Sequence, residues 1–191
     1  MLGLWTLAGC APSAKLRVQA DDRYHLAQSY MGNGAYLLAE QEVRKALELV
    51  PHEPRYFELL GLVQQAQGRL QLAEDAYRMA LQQTEAPPSV LVNYSTLLLL
   101  RERFDEALAL AQRALQDPRY GRPAVAHVNS GWAYFKKGAL GQAEEQFGAA
   151  LKYQPDLPEA YHNLGLVYAR RREHNRAIQE FREAIRFRHR M

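Results

Sequence analysis

Ten alanines recur in this chain at fixed intervals, and those intervals confine its fold more tightly than any other feature. They form pairs seven residues apart: Ala39 and Ala46, Ala73 and Ala80, Ala107 and Ala114, Ala143 and Ala150, Ala177 and Ala184. Successive pairs are spaced by 34, 34, 36 and 34 residues. A period in the thirties marks a stacked array, because each unit is a small element that buries its apolar face only by packing on its neighbours.

Other positions keep the same ruler. Counting back 19 residues from the first alanine of each pair gives windows 20–53, 54–87, 88–121, 124–157 and 158–191. Eight residues into each window the side chain is small or absent (Ala27, Gly61, Ser95, Gly131, Gly165), as a close crossing of two helices requires. The preceding residues, Leu26, Leu60, Tyr94, Ser130 and Leu164, are mostly bulky and expected to fill that crossing. Four residues after the first alanine come Val43, Tyr77, Ala111, Phe147 and Phe181. Pro51 and Pro155 close two windows, where a residue without an N–H suits a helix end. No period-two alternation competes, so the expected class is all-α.

This pattern, clearest in "YHNLGLVYARRREHNRAIQEFREAI", resembles the tetratricopeptide repeat over residues 20–191. The resemblance implies a right-handed superhelical solenoid of five helix hairpins. Gly34, Gly68 and Gly138 are expected at three of the turns, with Arg103-Phe104 and Glu173-His174 in the equivalent place at the other two.

Length allows one domain, and the repeats take up most of it. A net charge of +3 gives a nucleic-acid partner little electrostatic support. The arginines gathered between Arg170 and Arg190 are expected on a solvated helix face. No run of 18 apolar residues is present to span a membrane.

The N-terminus is apolar through Gly9 and then meets the single cysteine. Leu7-Ala8-Gly9-Cys10 resembles a bacterial lipobox, which implies cleavage before Cys10 and acylation of the new N-terminus. Residues 1–9 then read as a shortened signal segment, since a signal peptide runs to 15–30 residues with a basic start; the expectation is a start further upstream or a truncated chain. Residues 10–19 read as a lipidated tether. With Ala11 rather than aspartate after the cysteine, the resemblance implies the periplasmic face of the outer membrane, with the lipid as the sole membrane contact.

No chemistry-bearing constellation emerges. The six histidines fall into no metal-binding spacing. Gly32-Asn33-Gly34 lacks the third glycine and the strand of a nucleotide loop. Paired carboxylates such as Glu144-Glu145 have the density of ordinary charged helix faces. The expectation is a non-enzymatic chain with no cofactor and no metal.

A stacked array offers instead a groove lined by the first helix of each hairpin. By resemblance to the repeat family, its lining is Tyr24 and Gln28 in the first repeat, and Leu59 and Leu62 in the second. Val92, Asn93, Thr96 and Leu99 follow in the third, Val128, Asn129, Trp132 and Phe135 in the fourth, and Asn163 and Leu166 in the fifth. An extended peptide or helix could bury side chains there while an asparagine ladder of Asn93, Asn129 and Asn163 bonds its backbone. The alternative for Val92 and Val128 is packing between neighbouring first helices.

Between the third and fourth repeats the spacing grows by two residues, through Pro118, Gly121 and Pro123. Lipobox, tandem repeats and this loop together resemble the type IV pilus pilotins, although those usually carry six repeats. The resemblance implies an outer-membrane lipoprotein that assists a secretin subunit to assemble. Alternative classes are a periplasmic adaptor for cell-wall hydrolases, and a cytosolic co-chaperone or fragment of a larger repeat protein. At the C-terminal end, Ile178, Ile185 and Phe187 are expected on an open face, a surface for a partner or for self-association.

Overall fold

The computed structural model describes residues 12–189, so the lipobox and Cys10 lie outside the described residues. Within them run ten helices: α1 (Ala14–Gly32), α2 (Tyr36–Leu49), α3 (Pro54–Ala66), α4 (Leu70–Gln82), α5 (Pro88–Leu100), α6 (Phe104–Gln116), α7 (Pro123–Lys136), α8 (Leu140–Tyr153), α9 (Pro158–Arg170) and α10 (His174–Arg188). Consecutive helices pair as hairpins, α1 with α2 through α9 with α10. Proline opens α3, α5, α7 and α9, where its missing N–H would have no intrahelical partner and its fixed φ suits the first turn.

Among the described residues the hairpins fall into two compact units, 12–84 and 85–189. In the first, α3 packs on both α1 and α2, and its core joins Ala39, Val43 and Ala46 to Leu59, Leu60 and Val63. In the second, α7 packs on α5 and α6, and α9 on α7 and α8. Phe147 and Val167 are fully buried there beside Val128 and Leu164. Burial of one such side chain contributes roughly 1.5–3 kcal/mol. All ten periodic alanines are buried.

The crossing inside each hairpin is set by two positions that compensate in size. A Cβ on Gly61 would come within 2.6 Å of the Tyr77 ring, on Gly131 within 2.6 Å of Phe147, and on Gly165 within 2.5 Å of Phe181. Where the second residue is smaller, the first has a side chain: Ala27 goes with Val43, and Ser95 goes with Ala111. Ser95 spends its hydroxyl on the Ala107 carbonyl at 2.9 Å, so this crossing holds a satisfied polar group.

All five turns end the first helix the same way. The N–H groups of Ala35, Arg69, Arg103, Ala139 and Glu173 each donate to the carbonyl five residues back at 2.9 Å, closing a Schellman motif. Its left-handed residue is Gly34, Gly68 or Gly138 in three hairpins, but Glu102 (φ 57°) and Arg172 (φ 63°) in the other two. The glycine-equivalent residues thus lie one position before the Arg103-Phe104 and Glu173-His174 expected from sequence.

A buried and a half-buried glutamate tie successive hairpins together. Glu40 on α2 accepts from Arg44 at 2.7 Å and from Arg69 at the start of the next second helix. Burial pushes its carboxyl up, but bonds from Arg44, Arg69 and Gln67 outweigh this and hold it below the usual range. Glu144 on α8 accepts from the Tyr168 hydroxyl at 2.6 Å, and from Arg171 and Arg176. Tyr168 first, then Arg171, likewise lower its carboxyl against the pull of burial. Part of the arginine-rich C-terminal stretch is therefore engaged in packing, not merely a solvated face.

Three further expectations are corrected. Residues 14–19, read as tether, are helical: Ser13 caps α1 by accepting the Leu16 N–H at 3.3 Å, and Ala14 to Gln19 are mostly good helix formers. Leu26 fills no crossing; it is exposed because no helix precedes α1 among the described residues. Phe187 does not lie on the open face but stacks on Tyr161 of α9 at 5.4 Å, with the Arg186 guanidinium 4.5 Å from its ring.

Candidate partner-binding site

In the second unit a cleft of about 240 Å³ opens between α5, α7 and α9, lined by Thr96, Leu99, Leu100, Val128, Asn129, Trp132, Glu159 and Asn163. Six of these follow the groove positions read from the repeat, because residues three and four apart on parallel-running first helices share one face. Leu100 and Glu159 were not anticipated. The signal for Leu100 was the run Leu97–Leu100, since one helix face cannot bury four consecutive residues, and the last is left 60% exposed.

Trp132 forms the aromatic wall. Its ring stacks on Phe135 at 5.3 Å, and the Lys136 ammonium lies 5.3 Å from the indole. The Arg170 guanidinium sits 5.1 Å over Phe135 and donates to its carbonyl at 3.0 Å, so each ring of the pair has a cation near it. Leu166 is half-buried on α9.

The asparagine ladder is only partly presented to a ligand. The Asn129 amide donates to the Val92 carbonyl at 3.2 Å and to Thr96 Oγ1 at 2.9 Å, so both of its N–H groups hold α7 to α5. Asn93 is half-buried, and Asn163 is buried on the cleft wall. Val92 and Val128 are both buried, and Val128 also lines the cleft.

In the first unit, Tyr24 and Gln28 belong to a polar network. Gln28 donates to the Tyr24 hydroxyl at 3.1 Å, and Tyr24 packs at 5.3 Å on Tyr56, whose hydroxyl donates to Asp21 at 2.7 Å. Arg55 spans both rings and pairs with Glu53 at 2.9 Å. Burial, then the charge of Glu58, raises the Tyr24 phenol. Leu59 is core rather than surface, while Leu62 is half-buried.

These surfaces offer apolar area, amides and fixed charges, the materials of protein recognition. Among the described residues no group of three or more His, Cys, Asp or Glu is placed to hold a metal ion, and no helix is long and apolar enough to cross a membrane.

The hairpin geometry, the shared turn and the compensating crossing define a helical-repeat scaffold for protein interaction, and comparison gives it a family. Tetratricopeptide-repeat profiles match residues 24–90, 131–171 and 158–188. The chain belongs to the tetratricopeptide-repeat family. It is 28% identical over 184 residues to the type IV pilus assembly protein PilF of Pseudomonas aeruginosa, an alignment covering 92% of this chain and 73% of that protein. Among solved structures, PilF superposes with a TM-score of 0.83 at 25% identity, covering 91% of this chain and 78% of PilF. PilW, described as a widely conserved type IV pilus biogenesis factor, superposes with a TM-score of 0.81 at 24% identity, covering 87% and 78%. The chain is thus a repeat scaffold related to PilF, and it shares the fold of PilW.

Proposed function

We propose that this protein is a lipid-anchored assembly factor of the type IV pilus, which binds a secretin subunit at the outer membrane and performs no chemistry of its own. The observation that carries the reading is the likeness to PilF, which extends over nearly the whole chain rather than over single repeats. The cleft between Leu100 and Trp132 supports it by offering a partner segment an apolar seat beside Asn163 and Glu159. Cys10, preceded by Leu7-Ala8-Gly9, supplies the anchor. Several acyl chains would hold firmly, because each buried CH₂ contributes about 0.8 kcal/mol and a single chain binds only marginally.

The test is a gene deletion complemented with wild type, Cys10→Ser or Trp132→Ala, read by secretin multimers in the outer membrane and by piliation. Loss of multimers in the deletion and their recovery only with wild type is the expected result. Normal multimers in the deletion would overturn the assembly role. Mass spectrometry of the membrane-extracted protein should find acylated Cys10, and an unmodified Cys10 within an intact N-terminus would remove the anchor.

A further inference from the structure

Two successive first helices carry asparagine at the same repeat position and use it differently. Asn129 on α7 spends both N–H groups on α5, one on the Val92 carbonyl and one on Thr96 Oγ1. Asn163 on α9 lacks the second of these partners, because Trp132 holds in α7 the place that Thr96 holds in α5, and an indole offers no acceptor. Its amide makes no hydrogen bond among the described residues, although Asn163 is only 6% exposed and lines the cleft. A buried amide without partners costs about 1–3 kcal/mol, which a ligand regains by supplying them.

The cleft limits what can supply them. Asn163 offers one acceptor oxygen and two N–H donors, which match the free N–H and C=O of an extended main chain; a helix keeps those groups bonded within itself. The volume of about 240 Å³ falls short of the roughly 300–1,000 Å³ of a small-molecule pocket, so the space between Leu100 and Trp132 takes one bulky side chain. Charge then selects that side chain's neighbour. Glu159 is the only charged residue of the lining, and it forms no ion pair among the described residues. The helix dipole favours an acid in this first turn of α9, so the carboxylate is stable there without a counter-ion. One helical turn separates it from Asn163, roughly 5–6 Å, and alternate side chains of an extended segment are about 6.6 Å apart. Three cations lie off the lining: Lys136 is one turn past Trp132, Arg170 is held on Phe135, and Arg188 lines a separate depression with Glu159 without bonding it.

We infer that the cleft takes an extended segment of a partner chain in which a bulky apolar residue has a lysine or arginine two positions away. The apolar side chain sits between Leu100 and Trp132, the main chain pairs with the Asn163 amide, and the cation faces Glu159. This rests on the reading of the cleft as a partner's seat and adds the sequence that the seat selects.

Acetylated and amidated serine peptides test it, each with a central leucine and with lysine, glutamine or glutamate two positions to either side. Proton–nitrogen NMR of the full chain, read at the amides of α7 and α9, gives their affinities up to millimolar concentration. Wild type should prefer the lysine peptide to the glutamate one by about fivefold, a preference that runs against the net charge of +3 and fades with salt. Glu159→Lys should reverse the order. Asn163→Ala should weaken all three peptides by about fivefold, yet lower the melting temperature less than Asn129→Ala, which removes two bonds within the fold. Affinities indifferent to peptide charge, or an order that Glu159→Lys leaves unchanged, would overturn the inference and leave the cleft an unselective seat. So would equal losses of melting temperature in the two asparagine variants, which make Asn163 a structural residue. A lysine peptide that fails to bind at millimolar concentration would remove the seat itself. The assembly role falls on a different result, normal secretin multimers in the gene deletion, so the two failures are told apart.

Discussion

Gly131 and Gly148 pose the same substitution with opposite outcomes. A methyl group on Gly148 meets nothing within 4 Å, so Gly148→Ala on α8 should stabilise the protein by about 1 kcal/mol, the difference in helix propensity. On Gly131 that methyl would press on the Phe147 ring at 2.6 Å. Overpacking costs roughly 1–3 kcal/mol, which exceeds the propensity gain, so Gly131→Ala should lower stability in urea titrations. Arg172 offers a second residue-scale test, because its positive φ is unfavourable for any side chain and it caps α9 as glycine does elsewhere. Arg172→Gly should add about 0.5–1 kcal/mol, measured the same way. The small crossing residue was legible in sequence from its period alone. The left-handed residue was legible at Gly34, Gly68 and Gly138 but not at Glu102 and Arg172, since glutamate and arginine carry no sign of the conformation that their neighbours impose.

Among the elements, the connection at 117–122 carries its own order. Asp117 accepts the Arg119 N–H at 2.9 Å and two bonds from its guanidinium at 3.0 and 2.7 Å. The guanidinium first, then the N–H, hold the Asp117 carboxyl at about 2, below its ordinary 3.8. A carboxyl lowered on folding stabilises the protein above its unfolded pKa, and that contribution disappears as pH falls through the folded value. The difference in melting temperature between wild type and Asp117→Asn should therefore be constant near neutrality and shrink as pH drops from the ordinary value towards about 2. A difference independent of pH would mean that the carboxylate's charge is not what matters in this turn. Repeat counting located this loop by its two extra residues, yet the same counting began the first helix at residue 20 and so missed Ser13 as a cap. It also missed that Asn129 turns towards α5, because the bond depends on a carbonyl 37 residues away in the chain.

At the scale of the whole molecule, the two compact units hold unequal numbers of hairpins, two before residue 85 and three after it. Three stacked units are roughly the least that a helical repeat needs to bury a continuous core. Residues 85–191 expressed alone should thus keep their helicity and melt cooperatively, whereas 12–84 alone should be far less helical by circular dichroism. Equal behaviour of the two fragments would show that hairpin number does not decide their stability. Sequence alone gave no warning of this division: the period runs unbroken at 34 residues through Ala73 and Ala107, and only Pro87-Pro88 stands between. The chain has two tryptophans, Trp5 outside the described residues and Trp132 stacked on Phe135 in the cleft wall. With Trp5→Phe as background, indole emission comes from the second unit alone. Its melting curve, set beside the helical signal of the whole chain, separates one half from the other in a single cuvette, and its wavelength shifts when a partner displaces water from the ring.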